Sequence, residues 1–303
     1  MSTEMRPDMF DRFIGQGFGH RTMPYTWRDI ALYAISVGAE KNDLPYIFEK
    51  SPDFKTLPTF GLVPYLNTIL VQPTTHATCA PNEIVRDHVI KLLDGKVPNC
   101  LHMGMEMEVH SPIDPFGGTL LMHDELEQVY DRGEGKGIVA GVRMDIYNAA
   151  GLPVCTLKSN HYIGAFGGFG GPRFDSGSQK YPDRAPDYEV TEYLHDNQAV
   201  LYRLMGDTND VHIDPEVSGR FGYSMPFMQG LGTYGFAVRM GIQAIIPYQP
   251  ERVTRLKAQM RAVTNPGQNV TFRGWTVEPG KVYFKLVNAE GKALLDNGCI
   301  EYR

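Results

Sequence analysis

The sequence predicts an α+β fold built from two similar units, each with an antiparallel sheet and a helix. One observation is an internal repeat, because Asn-Ala-Ala-Gly at residues 148–151 returns as Asn-Ala-Glu-Gly at residues 288–291. A second is the alternation of apolar and polar residues around both tetrapeptides, which is typical of half-buried antiparallel strands. A third is a long apolar segment in the second half, whose apolar residues cover nearly every face of a helix.

The strands of the two units can be matched around the repeated tetrapeptides. Alternating stretches precede them at residues 137–147 and 281–287, and further stretches follow at residues 152–163 and 292–302. Asn and Gly are suited to the tight turns between such strands. The pattern therefore predicts one hairpin of the same kind in each unit.

Helical patterns and a loop complete the two units. Apolar residues at helical spacing run over residues 31–39 and 200–207, and both patterns end at a glycine. Residues 167–190 are rich in Gly, Pro, Asp and Ser, as linkers are. We therefore predict an N-terminal repeat over residues 1–170, a linker over 171–184 and a C-terminal repeat over 185–303.

Composition excludes several classes of partner. The chain has 303 residues, 42% of them hydrophobic, and a net charge of -6, so a basic surface for nucleic acid is not expected. No apolar run approaches the roughly 18 residues of a membrane helix, and the first residues resemble no secretory signal. The last residues, Glu-Tyr-Arg, differ from the usual peroxisomal tripeptide. Cytoplasm is the expected compartment, with a peroxisome as the alternative.

The cysteines predict neither a disulfide framework nor a zinc site. Cys79, Cys100, Cys155 and Cys299 lie far apart, and no pair has the Cys-x-x-Cys spacing. Reduced and mostly buried thiols are the expectation.

The stretch Gly206–Pro215, which reads GDTNDVHIDP, concentrates polar chemistry in the second unit. It holds three carboxylates, an amide and an imidazole within ten residues. Asp and Asn are common in turns and helix caps, so a turn is one interpretation of Asp207, Asn209, His212 and Asp214. A metal site is disfavoured, because the His212 and Asp214 pair has no third ligand nearby. Acid/base chemistry on one water is the other interpretation, and these residues alone leave it open against the turn.

The apolar segment over residues 221–246 predicts a buried helix that begins after a Gly/Pro loop. Gly230 and Gly232 lie at its start, where unpaired N–H groups and a positive dipole end are expected. Such an N–H can bind the oxygen of a thioester as it becomes an enolate, although close packing also explains the glycines. The predicted core residues are Leu231, Tyr234, Val238, Met240, Ile242 and Ile245.

With these motifs in place, the chain resembles the type 2 enoyl-CoA hydratases, which are MaoC-like (R)-specific hydratases with a hot-dog fold. The resemblance rests on residues 202–236, which contain the Asp207-to-Pro215 motif and the buried helix start. It extends to TWRDIALYAISVGA, LPTFGLVP, LHMGMEMEVHSPI and GAFGGFGGPR, which occur in the family's order and cover most of the chain. The two-domain members, including the hydratase part of peroxisomal multifunctional enzyme type 2, are the most similar.

The resemblance implies a double hot-dog fold, with two antiparallel sheets that each wrap a long central helix. It implies reversible hydration of trans-2-enoyl-CoA to (3R)-3-hydroxyacyl-CoA. Asp207 and His212 would activate the water, Asn209 would assist, and the Gly230 amide would bind the thioester oxygen. The N-terminal repeat would have lost catalysis and would accommodate the acyl chain. No cofactor or metal is implied, because CoA is part of the substrate, and a homodimer is expected.

Three cations near the glycine-rich loop are candidates for the phosphates of CoA, which require cations or helix N-termini. They are Arg173, Lys180 and Arg184. Solvated loop charges are the alternative interpretation.

The chain departs from the family pattern at three positions. Asp210 replaces a proline in the catalytic motif, Gln229 replaces the histidine before Gly230, and Met103 stands where glycine is usual. None removes the Asp207 and His212 pair, so activity is expected while the substrate stays open. The competing hypotheses are a hot-dog dehydratase of biosynthetic or polyketide-type thioesters, a non-catalytic acyl-CoA-binding protein, and a thioesterase.

Overall fold

A computed structural model describes residues 6–17, 20–70, 81–96 and 98–303. Its strands are β1 (His20–Thr26), β2 (Cys100–Val109), β3 (Gly117–Asp131), β4 (Ile138–Asn148), β5 (Pro153–Ile163), β6 (Tyr188–Leu194), β7 (Val253–Met260), β8 (Gln268–Glu278), β9 (Lys281–Asn288) and β10 (Ala293–Tyr302). Its α-helices are α1 (Trp27–Ser36), α2 (Leu44–Ile47), α3 (Val63–Leu70), α4 (Pro81–Leu92), α5 (Gln198–Arg203), α6 (Pro215–Arg220) and α7 (Gly230–Ile245).

The strand order shows that the two units have the same topology. The first unit is ordered β1-β3-β4-β5-β2 and the second β6-β8-β9-β10-β7, with antiparallel pairing throughout. The predicted α+β class is confirmed. The two predicted sheets, however, are joined edge to edge, because β2 pairs with β7 from Gly104–Gln259 to Glu108–Arg255 and makes one sheet of ten strands. This pairing satisfies the backbone groups of two strands that would otherwise be open edges.

The repeated tetrapeptides form matching turns. The side-chain oxygen of Asn148 accepts hydrogen bonds from the N–H groups of Ala150 and Leu152, both at 3.0 Å. Asn288 accepts from the N–H groups of Glu290 and Lys292, at 3.1 and 2.8 Å. Each turn thus uses an asparagine side chain in place of a backbone partner, and the predicted hairpins are confirmed.

Helix α7 is the central helix of the second unit and is enclosed as predicted. Every residue from Leu231 to Ile242 is buried, while Ile245 is only half-buried. Gly241 is needed where the helix meets the sheet, since a Cβ there would lie 2.5 Å from the Ile300 side chain. The corresponding segment of the first unit is a 3-10 helix over Pro58–Leu62 followed by α3, which has eight residues. The prediction of a long central helix is therefore confirmed for the second unit, while the description of α3 stops at Leu70, directly before the undescribed residues 71–80.

Side chains of the second unit cap the end of α1 in the first. Gln198 donates to the carbonyl oxygens of Ile35 and Ser36, at 2.8 and 2.7 Å. Arg239, only 4% exposed, donates to the Val37 carbonyl at 2.7 Å and forms an ion pair with Glu192. Carbonyl groups at a helix end have no intrahelical partner, so these contacts fix the two units against each other.

Three cysteines are free thiols, with Cys100 exposed and Cys155 and Cys299 buried, whereas Cys79 lies outside the described residues. Burial raises the pKa of the thiols of both Cys155 and Cys299 to about 12. Within the described part of the chain, no helix is both long enough and apolar enough to cross a membrane.

Candidate active site

The candidate active site is the loop that connects α5 to α7. Helix α5 ends at Arg203, and Gly206 follows with a φ of 129°, a backbone conformation that glycine adopts without a steric penalty. This turn directs the chain away from the helix at Asp207. The next elements are a 3-10 helix over Asp210–His212 and then α6.

Asp207 is half-buried and holds its proton more tightly than an ordinary aspartate. Burial raises the pKa of its carboxyl, while the His212 ring and the Asn209 N–H lower it without cancelling the effect of burial. That N–H donates to the Asp207 carboxylate at 3.3 Å. The structure thus places Asp207 and His212 within electrostatic reach of each other, and a carboxylate with a raised pKa is a stronger base.

His212 is held in one orientation by a backbone carbonyl. Its Nδ1 lies 2.9 Å from the Phe227 oxygen, and its ring meets the Phe227 ring edge-on with centroids 4.9 Å apart. A carbonyl oxygen can only accept, so Nδ1 carries a proton. The other ring nitrogen, Nε2, is then left for chemistry beside Asp207. The sequence motif carried no sign of this anchor, because the acceptor is a backbone atom.

Two polar residues of the motif support the loop. Asn209 is exposed, and its side-chain oxygen caps the 3-10 helix by accepting from the Val211 N–H at 3.2 Å. Asp214 caps α6 by accepting from the N–H groups of Glu216 and Val217. The turn interpretation therefore describes Asp214 and the oxygen of Asn209, while assistance to catalysis by Asn209 stays a prediction. The exposed Asp210 begins the 3-10 helix.

Helix α7 begins at Gly230, as expected, with Gln229 as its N-cap residue. The N–H groups of the first helical residues have no intrahelical acceptor, and the Met260 side chain lies beside Gly230. Gln229 is fully buried and donates to the Ala199 carbonyl at 3.2 Å, so it ties the start of α7 to α5. Gln229, which replaces the family's histidine, is thus an uncharged residue that holds the chain in place directly before Gly230.

The three candidate CoA-binding cations are not brought to this loop by any described contact. Arg184 pairs with Asp187 and donates to the Thr276 carbonyl, near the end of β8. Arg173 is exposed, and its backbone pairs with that of Asp131 in an isolated β-bridge. The Asp131 carboxylate accepts hydrogen bonds from the N–H groups of Gly133, Gly168 and Gly170. Lys180 is exposed. Their role in binding CoA stays a prediction.

The described residues contain no cluster of three or more His, Cys, Asp and Glu side chains arranged to hold a metal. The site has instead a carboxylate, an imidazole with one open nitrogen, and a helix N-terminus. That combination can move protons at a water and bind a developing negative charge.

Comparison with known proteins identifies the family. Residues 23–164 match the MFE-2 hydratase 2 N-terminal domain, and residues 177–297 match the MaoC-like domain. A probable enoyl-CoA hydratase 2 from Dictyostelium discoideum is 30% identical over 283 residues, which are 90% of this chain and 89% of that protein. The chain belongs to the MaoC-like hydratase 2 family. The resemblance seen in the sequence motifs is thereby confirmed.

Two further comparisons agree with this family. Peroxisomal multifunctional enzyme type 2 from Mus musculus is 29% identical over 95% of this chain, which corresponds to only 38% of that longer protein. A crystal structure of a MaoC-like dehydratase from Phytophthora capsici superposes with a TM-score of 0.81 at 26% identity and covers 97% of this chain and 98% of its own. The fold is therefore the double hot-dog fold of the MaoC-like dehydratases.

Proposed function

We propose that the protein catalyses the reversible hydration of trans-2-enoyl-CoA to (3R)-3-hydroxyacyl-CoA, with water activated between Asp207 and His212. Membership of the MaoC-like hydratase 2 family supports the reaction class. The observation that supports the residue assignment is the meeting of a base, an anchored imidazole and a helix start in one loop. Asp207 has a raised pKa, His212 is anchored through Nδ1 at Phe227, and Gly230 begins α7.

The proposed step balances one proton removed against one proton supplied. Asp207 accepts a proton from the water as its oxygen attacks C3 of the enoyl thioester. Negative charge then develops on the thioester oxygen, which accepts a hydrogen bond from the Gly230 N–H. His212 begins this step as an imidazolium with a proton on each ring nitrogen: it keeps the Nδ1 proton on the Phe227 carbonyl and donates the Nε2 proton to C2. Proton transfer from the protonated Asp207 to Nε2 then restores the carboxylate and the imidazolium. The reverse sequence dehydrates the hydroxyacyl thioester.

A non-catalytic acyl-CoA-binding role has less support, because binding alone requires neither an aspartate with a raised pKa nor an oriented imidazole. The cytoplasm and the peroxisome are both proposed compartments, since the similar protein from Mus musculus is a peroxisomal enzyme. Association of two chains into a homodimer is likewise a proposal, and light scattering at several protein concentrations would test it.

The decisive experiment follows the loss of ultraviolet absorbance of the enoyl thioester, with chiral analysis of the product. Asp207→Asn and His212→Gln are each expected to lower kcat by about 10²- to 10⁴-fold, the usual contribution of one acid/base group. Asp210→Asn is the matched control, because Asp210 is an exposed carboxylate in the same loop. Near-normal activity of Asp207→Asn, or an S-configured product, would refute the assignment.

A further inference from the structure

A cavity of about 160 Å³ lies where the two units meet, at the end of β2 and the start of β7. Both units supply its apolar walls, which include Pro58, Val109 and Val154 of the first unit and Val253 of the second. We refer to the space lined by these residues as the junction cavity. A ligand bound in it would contact both units at once.

The register of the two central strands relates this cavity to the candidate active site. Strands β2 and β7 pair in antiparallel fashion, with Glu106 opposite Lys257 in the middle of the paired segment. Val109 and Met260 each lie three residues beyond that middle pair, at opposite ends. Met260 is the residue whose side chain borders Gly230. Val109 therefore holds the position in the first unit that Met260 holds in the second.

Matching backbone hydrogen bonds support this correspondence. Directly after Val109, the His110 N–H donates to the Val154 carbonyl at 2.8 Å. Directly after Met260, the Arg261 N–H donates to a carbonyl of β10 at 2.9 Å in the same way. The junction cavity thus occupies, in the first unit, the place that the start of α7 occupies in the second.

The first unit has different groups at the positions that would carry the proposed hydration. Pro58 has no N–H where Gly230 has one. Ala39 follows the glycine turn of the first unit, where Asp207 follows that of the second. A thioester in the junction cavity would therefore meet neither that amide donor nor that base, and it would be held without being converted.

Thr56 provides another possible donor at the wall of the cavity. The residue is 9% exposed, and its hydroxyl has no hydrogen-bond partner among the described residues. Buried hydroxyl groups normally have a partner, and rotation about the Cα–Cβ bond exchanges the hydroxyl of a threonine with its methyl group. The Thr56 hydroxyl can therefore donate to a carbonyl oxygen of a ligand.

The charges around the cavity favour an uncharged ligand. Lys55 donates from Nζ to the Tyr248 carbonyl at 2.9 Å and lies 3.7 Å from the Glu251 carboxylate, so its charge is already balanced. The other cationic or titratable side chains that line the cavity are the exposed His110 and Arg303. Burial of a carboxylate without a buried cationic partner is unfavourable. An acyl thioester therefore suits these walls better than a free fatty acid.

The size of the cavity limits how much of a thioester it can hold. A cavity of about 150 Å³ holds a molecule of the size of benzene, so the junction cavity has room for roughly four to six acyl carbons. The exposed His110 and Glu251 belong to its rim, so that a ligand can enter from solvent.

This entry is separate from the catalytic loop. Thr254, which lines the cavity, precedes Met260 by six residues on β7, which corresponds to roughly 20 Å along the strand. A molecule in the junction cavity therefore does not occupy the space beside Gly230.

We propose that the junction cavity binds the acyl group of a second acyl-CoA molecule, which is held there and not hydrated. The Thr56 hydroxyl donates to the thioester oxygen, the first acyl carbons fill the cavity, and the CoA part extends over the rim. The choice of an acyl-CoA as the ligand rests on the proposed hydration at Asp207 and His212. Each chain then binds two acyl-CoA molecules and converts one.

The test counts the molecules of hexanoyl-CoA that bind per chain in calorimetry, because this saturated thioester cannot be hydrated. Two molecules are expected for the unmodified protein. Val109→Phe places a ring in the cavity and should leave one, while hydration of crotonyl-CoA continues at the unmodified rate. Ile14→Phe, at an exposed position of the N-terminal segment, is the control and should still bind two.

Thr56→Val keeps nearly the same side-chain shape and removes the hydroxyl. It should weaken the second hexanoyl-CoA by about fivefold and leave the first unaffected, since one hydrogen bond is lost. An unchanged affinity would overturn the role of Thr56. Hexanoate that competes for the second site as well as hexanoyl-CoA does would overturn the choice of a thioester.

The count of bound molecules also separates this inference from the proposed function. Two molecules of hexanoyl-CoA per chain in a protein that hydrates no enoyl-CoA would overturn the hydration and keep the second site. One molecule per chain in an active protein, or two in folded Val109→Phe, would overturn the second site.

Discussion

The two units share a topology and differ in the loop that follows the first helix of each. In the second unit, the turn at Gly206 leads to the half-buried Asp207. In the first unit, Gly38 has the same kind of backbone turn, with a φ of 91°, and leads to the buried Ala39. The Arg239 side chain occupies the space around Gly38, where a Cβ would lie 2.9 Å from its guanidinium.

A second difference concerns the start of the central helix. The second unit begins it with Gly230, whose N–H is free to donate, whereas the first unit begins with Pro58, which has no N–H. Compared with the second unit, the first unit lacks a carboxylate after the glycine turn and an N–H at the helix start, while its backbone follows the same path. Under the proposed function, the first unit would serve as a scaffold, while the second unit would supply the groups that the reaction needs.

The largest expected effect comes from making the second unit resemble the first at this point. Gly230→Pro removes the N–H at the first helical position, where proline is tolerated. Gln229 has φ -55° and ψ 141°, a conformation that a residue before proline prefers, so the helix should form. We expect kcat to fall by about 10²- to 10³-fold with the helical circular dichroism retained.

Gly230→Ala is the control for that variant, because it keeps the N–H and its Cβ would meet Met260 at an ordinary 3.4 Å. It should lose far less activity than Gly230→Pro. Equal losses in the two variants would show that the space above residue 230 matters and that its N–H does not.

The next effect concerns the contact that joins the units. Arg239→Met leaves the Val37 carbonyl uncapped and Glu192 without its partner, which is expected to lower the free energy of unfolding by about 3 kcal/mol. Arg273→Met is the matched control, since Arg273 pairs with Glu189, which lies on β6 like Glu192, but its side chain is 41% exposed, and the change should cost about 1 kcal/mol or less. Similar losses in urea titrations of the two variants would contradict the role given to Arg239.

A smaller effect should measure how much the ionised Asp207 carboxylate lowers the stability of the folded protein. Burial raises its pKa in the folded protein, so folding favours the protonated form, and the ionised form reduces stability as the pH rises through that range. Asp207→Asn is therefore expected to raise the free energy of unfolding at neutral pH by on the order of 1 kcal/mol while lowering kcat by about 10²- to 10⁴-fold. This gain in the free energy of unfolding should disappear at about pH 4. A loss of stability at neutral pH would contradict the assigned direction of the pKa shift.

The smallest effect concerns the part that the two units share. Asn148→Ala and Asn288→Ala each remove a side chain that accepts two N–H groups in the same kind of turn. Each is expected to cost about 1 kcal/mol, and the two costs should agree closely in thermal unfolding. A large difference between them would show that the turns are equivalent in geometry but not in energy.

Local patterns made much of this fold predictable from the sequence. Strand alternation and the asparagine turns identified the hairpins, and apolar periodicity with Gly230 located α7. Pairing between β2 and β7 was not predictable, because the register of two distant strands depends on the assembled units. The bulge in β2, where Met103 is an extra residue between the pairs His102–His161 and Gly104–Asn160, was hidden for the same reason, since the sequence shows an unusual residue and not which partner it faces.

The candidate site was predictable in its residues and less so in their roles. The motif identified Asp207, His212 and Gly230. It could not distinguish the role of Asp207 from that of Asp214, because an aspartate is equally suited to catalysis and to capping. The Phe227 carbonyl had no signal in the sequence, because every residue has a carbonyl.

Joining ten strands into one sheet also determines where the molecule can associate. Among the described strands, β1 and β6 lie at the borders, each with seven residues, whereas β3 in the interior has fifteen. Pro24 interrupts the donors of β1, and Glu189 and Glu192 of β6 carry charged side chains that form ion pairs with Arg273 and Arg239. Short, charged or proline-containing borders resist strand addition from another chain. Among the described strands, these two borders disfavour growth of the sheet beyond ten strands, so the proposed association of two chains would use helices, loops or the outer face of the sheet.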